Sequence, residues 1–84
     1  MTYHVYVLRS TTHLRYTGVT TDLAQRLRQH NDHTLSRWTK RGRDWCVTYL
    51  ESYPTAHAAH RRERWLKSGV GREYLSTHEA WRLE

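Results

Sequence analysis

Residues 16–31 read YTGVTTDLAQRLRQHN, and this stretch combines two different periodicities. Its first part is rich in aromatic and β-branched residues, which favour a β-strand. Gly18 within that strand indicates a bulge or the close approach of another backbone. In the second part, Leu23 and Leu27 recur at the spacing of one helix face. The stretch therefore predicts a strand that runs directly into an amphipathic helix.

The rest of the chain adds two strands and two helices to this unit. The predicted strands are residues 3–10, 14–20 and 45–53, and the predicted helices are residues 22–30, 56–68 and 72–83. Thr20 or Thr21 is a suitable N-cap for the first helix and Thr55 for the second, while Gly69 and Gly71 are expected to break the chain. The order β-β-α-β-α-α predicts one α+β domain, residues 1–84, with a three-stranded, mainly antiparallel sheet packed with helices.

Composition limits the classes of protein that remain. A chain of 84 residues has room for one small domain. Its mean hydropathy of −0.96 predicts no transmembrane span, and we expect a cytoplasmic protein. The single cysteine excludes a disulfide framework and a multi-cysteine zinc site, and Cys46 is interpreted as a small buried hydrophobic residue.

The charge of the chain points to phosphate. Fourteen Lys and Arg residues against eight Asp and Glu give a formal net charge of +6. Most of the cations are arginines, whose planar fork matches phosphate, although a merely basic solvated surface has the same composition. The segment between the first helix and the third strand contains a tryptophan among cations: Arg37, Trp38, Lys40 and Arg41. Such a group suits nucleic-acid binding, and a packed loop anchor is the alternative for Trp38.

Two charged side chains fall on faces that should be apolar. Helical spacing places Arg26 and His30 on the same side as the leucines of the first helix. A core-facing arginine is costly unless it meets an anion, and the alternative is that Arg26 extends past the leucines to pair with Asp22. In the second long helix, Glu63 projects from the face that carries the alanines and Leu66. It is either paired internally, with Arg26 as a candidate partner, or a ligand for a hard cation such as Mg²⁺ or Mn²⁺.

Three segments resemble one known family. His4-Val5-Tyr6 and Tyr16-Thr17-Gly18 look like the GIY and YIG motifs of the GIY-YIG nucleases. Residues 16–31 are similar to the family's second strand and first helix, with Arg26 as its characteristic arginine. RRERWLKSG resembles the later helix, with Glu63 as the metal-binding glutamate. The resemblance covers about residues 3–75, and is greatest to small stand-alone members related to the nuclease domain of the excision-repair incision protein.

This resemblance implies a metal-dependent endonuclease that hydrolyses phosphodiester bonds in DNA, in repair or in processing of branched or damaged DNA. It implies that Glu63 holds Mg²⁺ or Mn²⁺, Arg26 stabilises the phosphate, Tyr16 is the general base with His30 as the runner-up, and Tyr6 orients water or phosphate. Gly18 would leave room for a phosphate beside the phenol. The expected partners are DNA, with RNA left open, and a targeting protein. The alternative is a catalytically weak nucleic-acid-binding or adaptor module with the same fold.

Overall fold

The computed structural model of the chain describes residues 1–32 and 41–79. Its elements are strand β1 (Tyr3–Arg9), strand β2 (Arg15–Thr20), helix α1 (Leu23–Asn31), strand β3 (Cys46–Tyr53), helix α2 (Ala56–Lys67) and helix α3 (Gly69–His78). The predicted element order and the α+β class are confirmed. None of the described helices combines the length and the apolar character needed to cross a membrane.

Strand β1 is the centre of the sheet and is buried on both faces. It pairs antiparallel with β2 on one side and with β3 on the other, which gives the order β2-β1-β3. The four consecutive residues Val5, Tyr6, Val7 and Leu8 are fully buried. Because successive strand residues point to opposite faces, the two valines serve one core and Tyr6 and Leu8 serve the other.

Helices cover both faces of the sheet and so create two apolar clusters. The first cluster consists of Val5, Val7, Ala59, Leu66 and Leu75, and thus joins β1 to α2 and α3. The second consists of Tyr6, Leu8 and Trp45, with Leu14, Tyr16, Leu23, Leu27 and Val47 packed against it. The apolar stripe of α1 therefore lies on the face of the sheet that carries Tyr6.

The N-cap of α1 differs from the sequence prediction, whereas that of α2 agrees with it. Asp22, rather than Thr20 or Thr21, is the N-cap of α1, and its carboxylate accepts a hydrogen bond from the Gln25 amide at 3.1 Å. An N-terminal carboxylate also complements the helix dipole, which explains this choice. Thr55 caps α2 as predicted, accepting from the Ala58 amide.

The sequence predicted that Gly69 and Gly71 break the chain, but the interruption between α2 and α3 lies at Ser68. Gly69 and Gly71 both lie in the first turn of α3, which begins directly after Ser68. Ser68 ends α2 and caps α3, since its hydroxyl accepts a hydrogen bond from the Gly71 amide at 3.2 Å. The predicted helix at 72–83 thus begins earlier, and residues 80–83 lie outside the described part of the chain.

Cys46 is exposed, contrary to its interpretation as a buried residue. The pairing of β1 with β3 shifts register between Val7 and Leu8, so that Val7 faces Tyr49 and Leu8 faces Val47. This irregularity brings Val47 and Trp45 to the cluster that contains Tyr6. Cys46 lies between them on an edge strand, and the alternation of side chains turns it to the other side.

We expect Gly71→Ala to destabilise the domain by at least about 1–3 kcal/mol, the usual cost of overpacking. A Cβ atom at this position would lie 2.0 Å from the Trp65 carbonyl oxygen and 2.5 Å from the Leu66 Cα, and backbone atoms cannot move aside cheaply. Gly69→Ala is the matched control. No atom lies within 4 Å of its Cβ position, so higher helix propensity should leave stability equal or up to about 1 kcal/mol higher. Urea unfolding of both variants measures the difference, and equal losses would contradict this packing.

Candidate active site

Two tyrosines from neighbouring strands meet on the α1 side of the sheet. Tyr6 lies opposite Gly18 in the β1–β2 register, and the ring centroids of Tyr6 and Tyr16 are 6.2 Å apart. A Cβ atom at Gly18 would lie 2.6 Å from the Tyr6 hydroxyl oxygen and 3.0 Å from a Tyr16 ring carbon. Gly18 therefore makes room for the two phenol rings, where the sequence predicted a bulge or the approach of another backbone.

His30 lies against both tyrosines. It is fully buried, its Nε2 is 3.2 Å from the Tyr6 hydroxyl oxygen, and its ring centroid is 4.5 Å from that of Tyr16. Its position on the apolar side of α1 agrees with the helical spacing. The other ring nitrogen, Nδ1, is buried and forms no hydrogen bond with the described residues.

Burial keeps both members of the Tyr6–His30 hydrogen bond neutral at neutral pH. It lowers the pKa of His30 to about 4, with the nearby Arg26 charge adding to the effect. Burial and the neighbouring Tyr16 raise the pKa of Tyr6, while the charge and hydrogen bonding of Arg26 oppose the rise. A protonated phenol can donate to Nε2 of a neutral imidazole, so this hydrogen bond forms without any charge.

Arg26 brings an uncompensated positive charge to this cluster. Its side chain is partly buried, and no ion pair within residues 1–32 and 41–79 includes it. The expected alternative partner, Asp22, uses its carboxylate to cap α1. Arginine is rarely placed against a core without an anion, so the guanidinium is well suited to meet an anionic ligand.

Glu63 approaches the same cluster from α2. Its negative charge contributes to the raised pKa of Tyr6, and its side chain is 17% exposed. One carboxylate oxygen accepts from Lys67 Nζ at 2.9 Å, and the other is 3.2 Å from His60 Nδ1. No ion pair joins Glu63 to Arg26 in the described structure, which argues against the internal pair considered from the sequence.

The donor set at Glu63 fits a cation that takes few protein ligands. No group of three or more His, Cys, Asp and Glu side chains is assembled within the described ranges, so a closed protein-only metal cage is absent there. Mg²⁺ commonly binds through one or two carboxylates, waters and substrate phosphates. The Lys67 and His60 side chains are 53% and 58% exposed, so both can turn into solvent and release the carboxylate.

The structure thus brings together Tyr6, Tyr16, Gly18, Arg26 and His30, and the charge of Glu63 acts on this cluster from α2. Of the predicted nucleic-acid-binding residues in the following segment, Arg41 is exposed. Arg37, Trp38 and Lys40 lie outside the described residues. Lys67 and His60 were not predicted as partners of Glu63, although spacings of i,i+4 and i,i+3 on one helix are a recognisable indication of such contacts.

The chain is similar in sequence and in fold to known proteins. The family model described as the GIY-YIG catalytic domain matches residues 2–75. A UPF0213 protein of Haloquadratum walsbyi is 32% identical over 66 residues, 79% of this chain and 74% of that protein, and one of Halobacterium salinarum is 32% identical over 65 residues, 77% and 84%. The solution NMR structure of a UPF0213 protein from Bacillus halodurans is similar with a TM-score of 0.56 and 30% identity, covering 92% of this chain and 84% of that one.

We expect acid to destabilise the domain through His30. Its pKa is about 4 in the folded protein and near 6.5 in the unfolded chain, so the unfolded state takes up a proton first as the pH falls. The stability that comes from keeping His30 neutral is fully present above about pH 6.5 and is lost as the pH falls towards 4. The free energy of unfolding should therefore decrease by about 2 kcal/mol between pH 7 and pH 5. Urea unfolding at these two pH values measures it. His30→Gln should remove this part of the pH dependence, and an unchanged dependence would assign it to other groups.

Proposed function

The chain belongs to the GIY-YIG family, and from this premise we propose that it is a metal-dependent endonuclease that hydrolyses phosphodiester bonds in DNA. The observation that carries the proposal is the meeting of Tyr6 and Tyr16 with an arginine that has no carboxylate partner among the described residues. We extend the proposal to repair or processing of branched or damaged DNA, with a partner protein for targeting.

Arg26 stabilises the charge of the phosphate in this proposal. A guanidinium presents several N–H donors in a fixed fork, which can hold two oxygens of one phosphate. In a partly buried position, such donors act more strongly on developing negative charge than they do in water. Because the Arg26 side chain is held beside Tyr6, it needs little reorganisation when the phosphate arrives.

Tyr16 and Tyr6 take different roles because their exposure differs. Tyr6 is fully buried with a raised pKa, so it keeps its proton and can orient a phosphate or water through its hydroxyl group. Tyr16 is only partly buried, and we assign it to accept the proton of the attacking water. His30 is assigned as a positioning residue instead of the runner-up base, because it is buried and its pKa of about 4 makes it a weak base.

Glu63 would hold the divalent cation, Mg²⁺ or Mn²⁺. When bound, the ion supplies neutralisation of charge on the phosphate and on the leaving oxygen. For this purpose the Glu63 carboxylate must exchange its contacts with Lys67 and His60 for the cation. Both contacts involve largely exposed side chains, so their loss costs little, since exposed ion pairs contribute about 0–1 kcal/mol.

One observation favours a second candidate, a nucleic-acid-binding or adaptor module without catalysis. Both oxygens of Glu63 are already engaged, by Lys67 and by His60. If these contacts persist when nucleic acid binds, no cation enters and the phosphate is held but not cut. Both candidates predict DNA binding that weakens with salt, so only cleavage separates them. Incubation with branched and linear DNAs in Mg²⁺, Mn²⁺ or EDTA is the deciding assay, and no cleavage in any metal would favour the module.

Glu63→Gln should lower metal-dependent cleavage by about 10²–10³-fold, because the amide keeps the shape but loses the charge that a hard cation requires. The free energy of unfolding should fall by less than about 1 kcal/mol, since only exposed partners are lost. Glu73→Gln, at an exposed position of α3, is the matched control and should cleave normally. Equal activity of the two variants would remove Glu63 from the reaction.

Arg26→Gln should reduce cleavage at saturating DNA by a similar factor without unfolding the domain. No described carboxylate depends on Arg26, so no buried charge is left unpaired by its removal. Single-turnover cleavage and urea unfolding give the two quantities. A stability loss of about 3–5 kcal/mol would instead identify Arg26 as part of a buried structural ion pair.

A further inference from the structure

A cavity of about 280 Å³ opens beside Tyr16, between β2 and the junction of α2 and α3. Its walls are formed by Arg15, Tyr16, Thr17, Leu66, Lys67 and Arg72. Half of these residues are cations, and one is the tyrosine assigned above as general base. The cavity therefore adjoins the candidate active site at Tyr16.

Arg15 retains donor capacity at this cavity. One of its terminal nitrogens, Nη2, lies 3.0 Å from a Glu79 carboxylate oxygen, but its buried Nε donates to none of the described residues. Glu79 is shared, because its carboxylate also pairs with Arg9. Burial and the nearby charge of Arg9 lower the pKa of Arg15, although Glu79 opposes this, and Arg72 adds to the lowering. Positive charge is thus incompletely compensated here.

Lys67 and Arg72 add to this positive potential. Lys67 Nζ is 2.9 Å from Glu63, the proposed cation ligand, so its carboxylate partner belongs to the candidate active site. Arg72 donates to the carbonyl oxygen of Lys67 at 3.0 Å, and none of the carboxylates in the described ranges pairs with it. The cavity accordingly offers one fully uncompensated guanidinium and two cations that share their carboxylates.

We propose that this cavity binds an internal phosphate of the same nucleic-acid strand whose neighbouring phosphate is held at Tyr16. The proposal rests on the proposed function and extends it to a second phosphate subsite. Arginine forks suit the oxygens of a phosphodiester, and Arg15, Lys67 and Arg72 all line this cavity. Contacts to phosphate and sugar fix the register of a strand without reading its sequence, so this subsite positions the scissile bond.

The test follows backbone amide NMR signals during titration in EDTA, where no cleavage occurs. The probes are inorganic phosphate and a short single-stranded DNA without terminal phosphates. We expect both probes to shift the amides of the cavity wall, at residues 15–17 and 66–72, and the oligonucleotide to compete with inorganic phosphate. A shift caused by inorganic phosphate alone would identify a free-phosphate site and overturn the strand assignment.

Arg72→Gln should weaken oligonucleotide binding about tenfold. The slope of the logarithm of the binding constant against the logarithm of the salt concentration should become shallower by about one unit. Arg61→Gln, an exposed arginine of α2 outside this cavity, removes the same charge and should change affinity less than twofold. Equal losses would show that only diffuse surface charge matters and would overturn the proposal. The amide spectra of both variants report whether they remain folded.

The two proposals fail in different ways. If phosphate and oligonucleotide bind at the cavity but the metal-loaded protein never cleaves, the subsite stands and the endonuclease does not. If the wild-type protein cleaves and Arg72→Gln cleaves with an unchanged KM, the endonuclease stands and the subsite is overturned.

Discussion

The contact between Tyr6 and Gly18 is the constraint that links the fold to the candidate site. Tyr6 is a fully buried residue of the central strand, and its phenol passes over the strand position where Gly18 has no side chain. Any Cβ there would overlap the hydroxyl group of Tyr6. Because this cross-strand pair also brings Tyr16 against Tyr6 and His30, the same packing that closes one core of the domain assembles the phenols.

The placement of carboxylates separates structural arginines from the candidate functional one. Glu79 holds Arg9 and Arg15. Glu51 holds Arg62 with hydrogen bonds from Nε and Nη2, and it also accepts from Tyr53. These partly buried pairs satisfy Arg9 and Arg62, whereas Arg15 shares its carboxylate and keeps an unpartnered Nε among the described residues. Arg26 receives no such partner in the described structure. Glu63, the α2 carboxylate whose charge acts on Tyr6, is bound by Lys67 and His60 instead. The positive charge of Arg26 is therefore available at the position where the proposed function places the phosphate.

Much of the candidate site was predictable because it depends on local periodicity. Helical spacing alone placed Arg26 and His30 on the leucine side of α1, and placed Glu63 on the buried face of α2. The resemblance of the two tyrosine motifs then joined these elements into one cluster. The depth of His30 could not be predicted in this way, because it results from contacts with two strands that are distant in sequence. The low pKa of His30 and its assignment as a positioning residue follow from that burial.

By itself, the sequence determined the order of the elements, the α+β class and which faces of α1 and α2 would be buried, since patterns of two and 3.6 residues are properties of short segments. Only the tertiary structure decided that Gly71 lies inside α3 against the last turn of α2, that a register shift leaves Cys46 exposed, and that Arg15 and Arg72 meet beside Tyr16. Each of these features depends on how separate elements pack against one another. Such packing is set by the shapes of side chains that are distant in sequence, so a local sequence pattern does not predict it.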